Sequence, residues 1–201
     1  MSFSIVDREM MSRALVLAAK GRYTSSPNPT IGCVISIGDQ IVGEGSTRPS
    51  GGNHAEIEAL NQGSDAGNSC VYVTLEPCSH QGKTGPCALA LIEARVARVV
   101  IACEDPNPVV AGSGIKLLQE AGIEVECGLL EDQAREVNKG FFKRHEHGLP
   151  WVLVKMAASM DGRTAMASGQ SQWVSRPASR QDVQRLRAAS CAIITGIGTQ
   201  L

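Results

Sequence analysis

The sequence predicts an α/β fold: a largely parallel sheet behind an opening hairpin, followed by the start of a second α/β domain. Three observations carry this. Short runs rich in valine and isoleucine alternate with amphipathic helical stretches, the pattern of strands joined by crossover helices. The first two runs are joined only by Gly38-Asp39, a hairpin signal. The chain has 201 residues, the length of one domain or of one domain and part of a second.

The elements follow in order. Residues 7–20 read as a helix with Met11, Ala14, Leu15 and Ala18 on one face, Asp7 at its start and Gly21 at its end. The stretch SSPNPT (25–30) is a loop. IGCVISI (31–37) and QIVGEG (40–45) are the hairpin strands. HAEIEALNQ reads as a helix and CVYVTL (70–75) as a buried strand. PCALALIEAR (86–95) opens with proline in the first turn, where a missing N–H costs little. ARVVIAC (97–103) and IEVECG (123–128) are strands, with the helix GIKLLQEAG (114–122) between them. Residues 130–145 read as one long helix. The pattern closes near His147 and breaks at GLP (148–150). A strand at 151–157, a helix near 177–189 and a strand at 191–196 then open a second domain. About fifty residues cannot close a core alone. The expected domains are therefore 1–147 and 148–201.

Bulk properties exclude several classes. Apolar residues make up 43% of the chain, enough for a core. Net charge is −1, and only seven residues are aromatic (two Trp, two Tyr, three Phe). A nucleic-acid partner would want a basic groove and stacking platforms, so none is expected. No export signal or membrane span is visible, so a cytoplasmic location with reduced cysteines is expected. Apolar strand surface in 150–201 would favour association into a homo-oligomer unless it is covered.

One region concentrates chemistry. His54 begins a helix, Cys78 follows a strand, and Cys87 lies in the first turn of another helix. Zinc takes imidazole and thiolate ligands, and a catalytic site keeps one position open for water. Helix starts carry partial positive charge that helps keep a thiolate ionised. Glu56, two residues past His54, is placed to move protons beside such an ion, which lowers the pKa of its water to roughly 7. Singly, His-Ala-Glu and Pro-Cys are ordinary helix starts. Together and in order they make the His-x-Glu…Pro-Cys arrangement of zinc deaminases. A structural zinc site would want a fourth protein ligand, for which His80 is the candidate.

The sequence resembles the cytidine-deaminase superfamily and, within it, the RibD-type bifunctional riboflavin biosynthesis proteins. The resemblance rests on PNPTIGCVI (27–35), HAEIEAL (54–60), YVTLEPCSHQGKTGPC (72–87), CEDPNPVVAGSGI (103–115), NKGFFKR (138–144), KMAASMDGRTAMASGQSQWVS (155–175) and LRAAS (186–190). It implies a three-layer deaminase domain, a mixed sheet between helices, followed by the incomplete start of a dihydrofolate-reductase-like domain. It also implies two reactions. The first is zinc-dependent hydrolysis of 2,5-diamino-6-(5-phosphoribosylamino)pyrimidin-4(3H)-one, releasing ammonia. The second is reduction of the product's ribose with NADPH, which about fifty residues are not expected to support.

By motif match, His54, Cys78 and Cys87 hold Zn2+ and Glu56 moves protons. Asn28, Asp105 and Asn107 would face the ring or ribose, and His80, Lys83 and Thr84 the phosphate. In the reductase segment Ala157, Trp173 and Thr199 would lie near NADPH, and Ser171 and Arg187 near substrate. The sequence departs from the family pattern at Thr47, Asn53 and Gly85, where the family tends to have His, Pro or Ala, and Pro. Two other functions stay open at this point. One is a deaminase of guanine, cytosine or transfer-RNA adenosine. The other is a non-catalytic zinc module.

Overall fold

The computed structural model describes residues 3–63, 65–80, 85–108 and 110–197. The chain divides into two units, Met1–Trp151 and Val152–Leu201.

The first unit opens with helix α1 (Ile5–Lys20) and the hairpin strands β1 (Gly32–Ile37) and β2 (Gln40–Ser46). Then come α2 (Ala55–Gln62), β3 (Cys70–Val73), α3 (Cys87–Glu93), β4 (Arg98–Ile101), α4 (Ser113–Glu120) and β5 (Glu124–Cys127). Helices α5 (Glu131–Val137) and α6 (Lys139–His147) complete it. The strand order is β2-β1-β3-β4-β5. The sheet is mixed rather than largely parallel. β1 runs antiparallel to both β2 and β3, and only β3, β4 and β5 are mutually parallel.

Strand alternation sorts the core into two layers. Val34, Tyr72 and Val100 pack with Met11, Ala14 and Leu17 of α1 and with Ala134 and Phe142 of α5 and α6. Cys33, Ile35, Val71, Val73, Val99 and Ile101 face the opposite side, against α2, α3 and Leu118 of α4. Helices therefore cover both faces of the sheet, giving three layers. Close approach on the second face depends on Gly45 of β2. A Cβ there would fall inside the van der Waals radius of the Ala55 carbonyl oxygen. Only glycine lets the start of α2 lie so near the sheet.

Several elements differ from expectation for physical reasons. α1 starts two residues earlier because Ser4, not Asp7, is its cap. Ser4 Oγ accepts the Asp7 N–H at 3.0 Å, and Asp7 Oδ2 accepts the Ser4 N–H at 2.8 Å, a capping box. Asp7 is thereby freed to accept Tyr72 O–H at 2.9 Å and Arg98 Nη1 at 2.6 Å. Leu15 is only partly buried, while Leu17 lies in the core. The long helix predicted over 130–145 is two helices that part at Asn138. The Asn138 carboxamide pairs both ways with the Thr30 backbone, accepting its N–H and donating to its carbonyl at 2.8 Å each.

In the second unit, helix α7 (Pro177–Ala188) forms where expected, with proline in its first turn. The strands predicted at 151–157 and 191–196 do not form, and those residues are almost all exposed. A strand requires a neighbour's backbone to bond with, and neither stretch has one among the described residues. Among the described residues no helix is long and apolar enough to cross a membrane.

Candidate metal centre

Three elements deliver three ligand groups to one place. His54 caps α2 in extended conformation, and its imidazole makes no bond to the helix it caps. Cys78 lies in the irregular segment that follows β3, on the carboxyl side of the parallel strands. Cys87 is the first residue of α3. The first amides of a helix have no partner within it, and α3 uses two of them on Cys78. Cys87 N–H donates to Cys78 Sγ at 3.3 Å, and Ala88 N–H donates to the Cys78 carbonyl at 3.1 Å.

The His54, Cys78 and Cys87 ligand atoms all lie within 4.8 Å of one another. His54 Nδ1 stands 3.6 Å from Cys78 Sγ and 3.2 Å from Cys87 Sγ. Around a tetrahedral zinc with Zn–S of about 2.3 Å and Zn–N of about 2.0 Å, an N···S edge is roughly 3.5 Å. The donor set and its spacing fit that ion.

The electrostatics agree with the geometry. The Cys78 thiol is pushed down, chiefly by the hydrogen bond from the Cys87 thiol, with His54 and the Cys87 amide assisting. Cys87 is pushed up in turn by the Cys78 sulfur and by burial. His54 is raised by its bond to the Cys78 thiolate. The pair is thus set to give up one proton readily and the second only to a competing cation.

Glu56, the second residue of α2, is 1% exposed. Burial pushes it up to about 7 against the downward pull of its own backbone amide, His54 and Cys87. Among the described residues its Oε2 is buried with no hydrogen-bond partner. An unpaired buried carboxylate oxygen is costly, and here it stands next to the three candidate ligands. A water or a protonated ring nitrogen would satisfy it.

The other expected site residues are less closely gathered. Asn28 is exposed, in a turn closed by its N–H on the Ser25 carbonyl at 2.9 Å. Its loop enters β1 at the end of the sheet where β3 leaves, since the Gly32 N–H bonds Thr74 Oγ1 at 3.1 Å. Asp105 and Asn107 are half-buried just past β4. Asp105 Oδ1 accepts the Asn107 N–H at 2.8 Å, and burial raises the Asp105 carboxyl. His80 is exposed. Lys83, Thr84 and Thr199 lie outside the described residues. Within the second unit, Ser171 and Trp173 help line a hollow of about 380 Å³, and Arg180 stacks over the Trp173 ring at 4.4 Å. Ala157 and Arg187 are not among the residues lining it; Arg187 is exposed on α7.

The three departures from the family pattern have local roles. Thr47 Oγ1 accepts the Ile31 N–H at 2.8 Å, stitching the exit of β2 to the entrance of β1. Asn53 Nδ2 donates to Glu58 Oε1 at 2.9 Å, bracing the approach to His54. A Cβ at Gly85 would meet nothing within 4 Å.

Sequence reasoning passed over Glu76. It is 2% exposed, lies two residues before Cys78, and accepts four backbone N–H groups from residues 105–115. An acid set between Leu75 and Pro77 at the end of a buried strand was the available signal.

The sequence model of the cytidine and deoxycytidylate deaminase zinc-binding region matches residues 4–103, and that of the RibD C-terminal domain matches 150–201. Riboflavin biosynthesis protein RibD of Haemophilus influenzae is 54% identical over 97% of this chain and 53% of its own length. The RibD structure from Acinetobacter baumannii, form 1, superposes with a TM-score of 0.92 at 53% identity, covering 96% of this chain and 55% of that one. A Thermotoga maritima structure, described as a diaminohydroxyphosphoribosylaminopyrimidine deaminase/5-amino-6-(5-phosphoribosylamino)uracil reductase, gives 0.85 at 36% identity, covering 90% and 53%. The chain spans about half the length of the curated relatives it matches. The zinc-binding family match, a mixed sheet between two helical layers and this degree of identity lead to one assignment: the chain belongs to the RibD family of riboflavin biosynthesis proteins.

Proposed function

We propose that residues 1–147 form a zinc-dependent hydrolase of riboflavin biosynthesis. It deaminates 2,5-diamino-6-(5-phosphoribosylamino)pyrimidin-4(3H)-one to 5-amino-6-(5-phosphoribosylamino)uracil and ammonia. The observation that carries this reading is the unpartnered Oε2 of buried Glu56 beside an imidazole and two thiols. A zinc-binding module without catalysis has no use for a desolvated carboxylate beside its ligand groups.

His54, Cys78 and Cys87 would hold the ion. When bound, zinc supplies a Lewis acid that brings water to the ionisation range of neutral pH. Glu56 would take a proton from the attacking water and pass it to a ring nitrogen. It would then take the remaining hydroxyl proton as the carbonyl forms and pass it to the amine, which leaves as ammonia when the C–N bond breaks. Burial serves both tasks, because it raises the carboxyl from its ordinary value toward the range where a proton passes in either direction. Asn28, Asp105 and Asn107 would orient the ring and ribose, and His80, Lys83 and Thr84 the phosphate. Residues 148–201 would contribute the first part of an NADPH-dependent reductase domain, with Ala157, Trp173 and Thr199 toward the cofactor and Ser171 and Arg187 toward substrate.

The test is ammonia release from the zinc-loaded chain, comparing the phosphorylated diaminopyrimidine with guanine, cytosine and a transfer-RNA adenosine substrate. Release from the phosphorylated pyrimidine alone is expected. Preferred release from any of the others would reassign the substrate, and release from none would leave only metal binding.

A further inference from the structure

We propose that Glu76 is a positioning residue, holding the loop that carries Asp105 and Asn107 in register with the metal-binding segment. This rests on the substrate reading above. Glu76 Oε2 accepts the N–H of Asp105 at 3.2 Å and of Gly112 at 3.0 Å. Its Oε1 accepts the N–H of Gly114 at 2.8 Å and of Ile115 at 3.2 Å. One carboxylate thus pins both ends of the 105–115 segment.

Two further ties run in parallel. The Glu76 N–H bonds the Cys103 carbonyl at 3.0 Å, and the Ser79 and Ser113 hydroxyls meet at 2.6 Å. The approach is tight enough that a Cβ on Gly114 would collide with the Pro77 carbonyl oxygen. Residues 76–79, with Cys78 inside them, are therefore tied to 103–105 on one side and to 112–115 on the other.

The carboxylate also settles what the start of α4 can do. The N–H groups of Gly114 and Ile115 belong to its first turn, where anions bind. Glu76 already occupies them. The substrate phosphate must be held elsewhere, and Glu76 acts on substrate only through the loop it fixes.

Glu76→Gln keeps the size but exchanges one acceptor for a donor, so two of the four amides lose their partner. Two lost charge-assisted bonds, with the loop displaced, should raise KM by about 10- to 100-fold. kcat should change by less than about threefold, because the metal and Glu56 stay in place. Zinc content should remain one per chain by mass spectrometry. Amide hydrogen exchange should accelerate at 105, 112, 114 and 115 while α2 stays protected. Glu76→Asp, shorter by one methylene but still charged, should fall between wild type and Gln, which keeps the test usable if Gln does not fold. Unchanged KM and exchange would overturn the assignment. So would activity lost only in proportion to zinc or to folded protein, which would make Glu76 merely structural. Wild-type chain that releases no ammonia would instead sink the substrate reading, and with it the link from this loop to substrate.

Discussion

Cys87 reaches Cys78 and His54 at once: its backbone N–H donates to Cys78 Sγ at 3.3 Å, and its own sulfur lies 3.2 Å from His54 Nδ1. One residue at the start of α3 is thus placed both to serve as a ligand and to stabilise the neighbouring sulfur as thiolate.

The two contributions separate by substitution. Cys87→Ser keeps the amide on Cys78 but replaces a soft sulfur with a hydroxyl. Zinc affinity should fall by more than about 100-fold, beyond what losing an outer hydrogen bond costs. Competition with a chromophoric chelator measures it. Cys78→Ser should be at least as damaging, since it removes a ligand and the acceptor of the helix amide together. Wild-type affinity in both variants would show that the ion sits elsewhere.

Glu56→Gln should leave zinc bound and lower kcat by about 10³-fold, within the range for a lost general acid–base. Glu56 is an acid raised from 4.5 to about 7, so it is protonated below that value and ionised above it. In the metal-free protein an infrared carboxylate band should therefore grow in with a midpoint near 7, and Glu56→Gln should lack it. A bound dication favours the ionised form and should move that midpoint lower. A variant that turns over at wild-type rate would remove Glu56 from the mechanism.

Much of this site was legible from local pattern. His54, Glu56, Cys78 and Cys87 announce themselves because metal and proton chemistry tolerate few residue types, and because helix starts have sequence signals. The two helical layers follow from strand alternation alone. What stayed hidden depends on partners far away in sequence. Asn138 looks like an ordinary helical residue until its carboxamide is seen occupied by Thr30, 108 positions earlier. Glu76 looks like a charged interruption until four amides from beyond β4 converge on it. The apolar runs at 151–157 and 191–196 have strand composition, but composition supplies no neighbouring backbone.

Asp7 makes acid stability predictable. Burial alone would raise its carboxyl, but Arg98, the Ser4 amide and Tyr72 more than offset that, and its pKa lies well below the usual 3.8. For an acid depressed in the folded state, the stabilisation is complete above the unfolded value. It is lost as pH falls through the folded one. Stability of the first unit should therefore hold at neutral pH and decline below about pH 4. Asp7→Asn should cost about 2–4 kcal/mol at pH 7, softened because Arg98 keeps Glu126 as a second partner. It should also flatten the acid decline. Urea denaturation at several pH values reads both effects, and an equally steep decline in Asp7→Asn would assign the acid sensitivity to another group.

The metal site should also be sensitive to a residue that never touches it. Gly45 of β2 leaves no room for a methyl group against the Ala55 carbonyl, and Ala55 lies between His54 and Glu56. Gly45→Ala must either push α2 outward or strain β2. Overpacking of this kind costs about 1–3 kcal/mol. If α2 yields, it takes the imidazole and the carboxylate with it, so zinc affinity and kcat should fall together although every ligand is present. Gly85→Ala is the matched control, because a Cβ there meets nothing within 4 Å; its stability and zinc affinity should match wild type. If Gly45→Ala lowers stability yet binds zinc as tightly as the control, then α2 does not set the position of His54, and the metal geometry is held by the two cysteines alone.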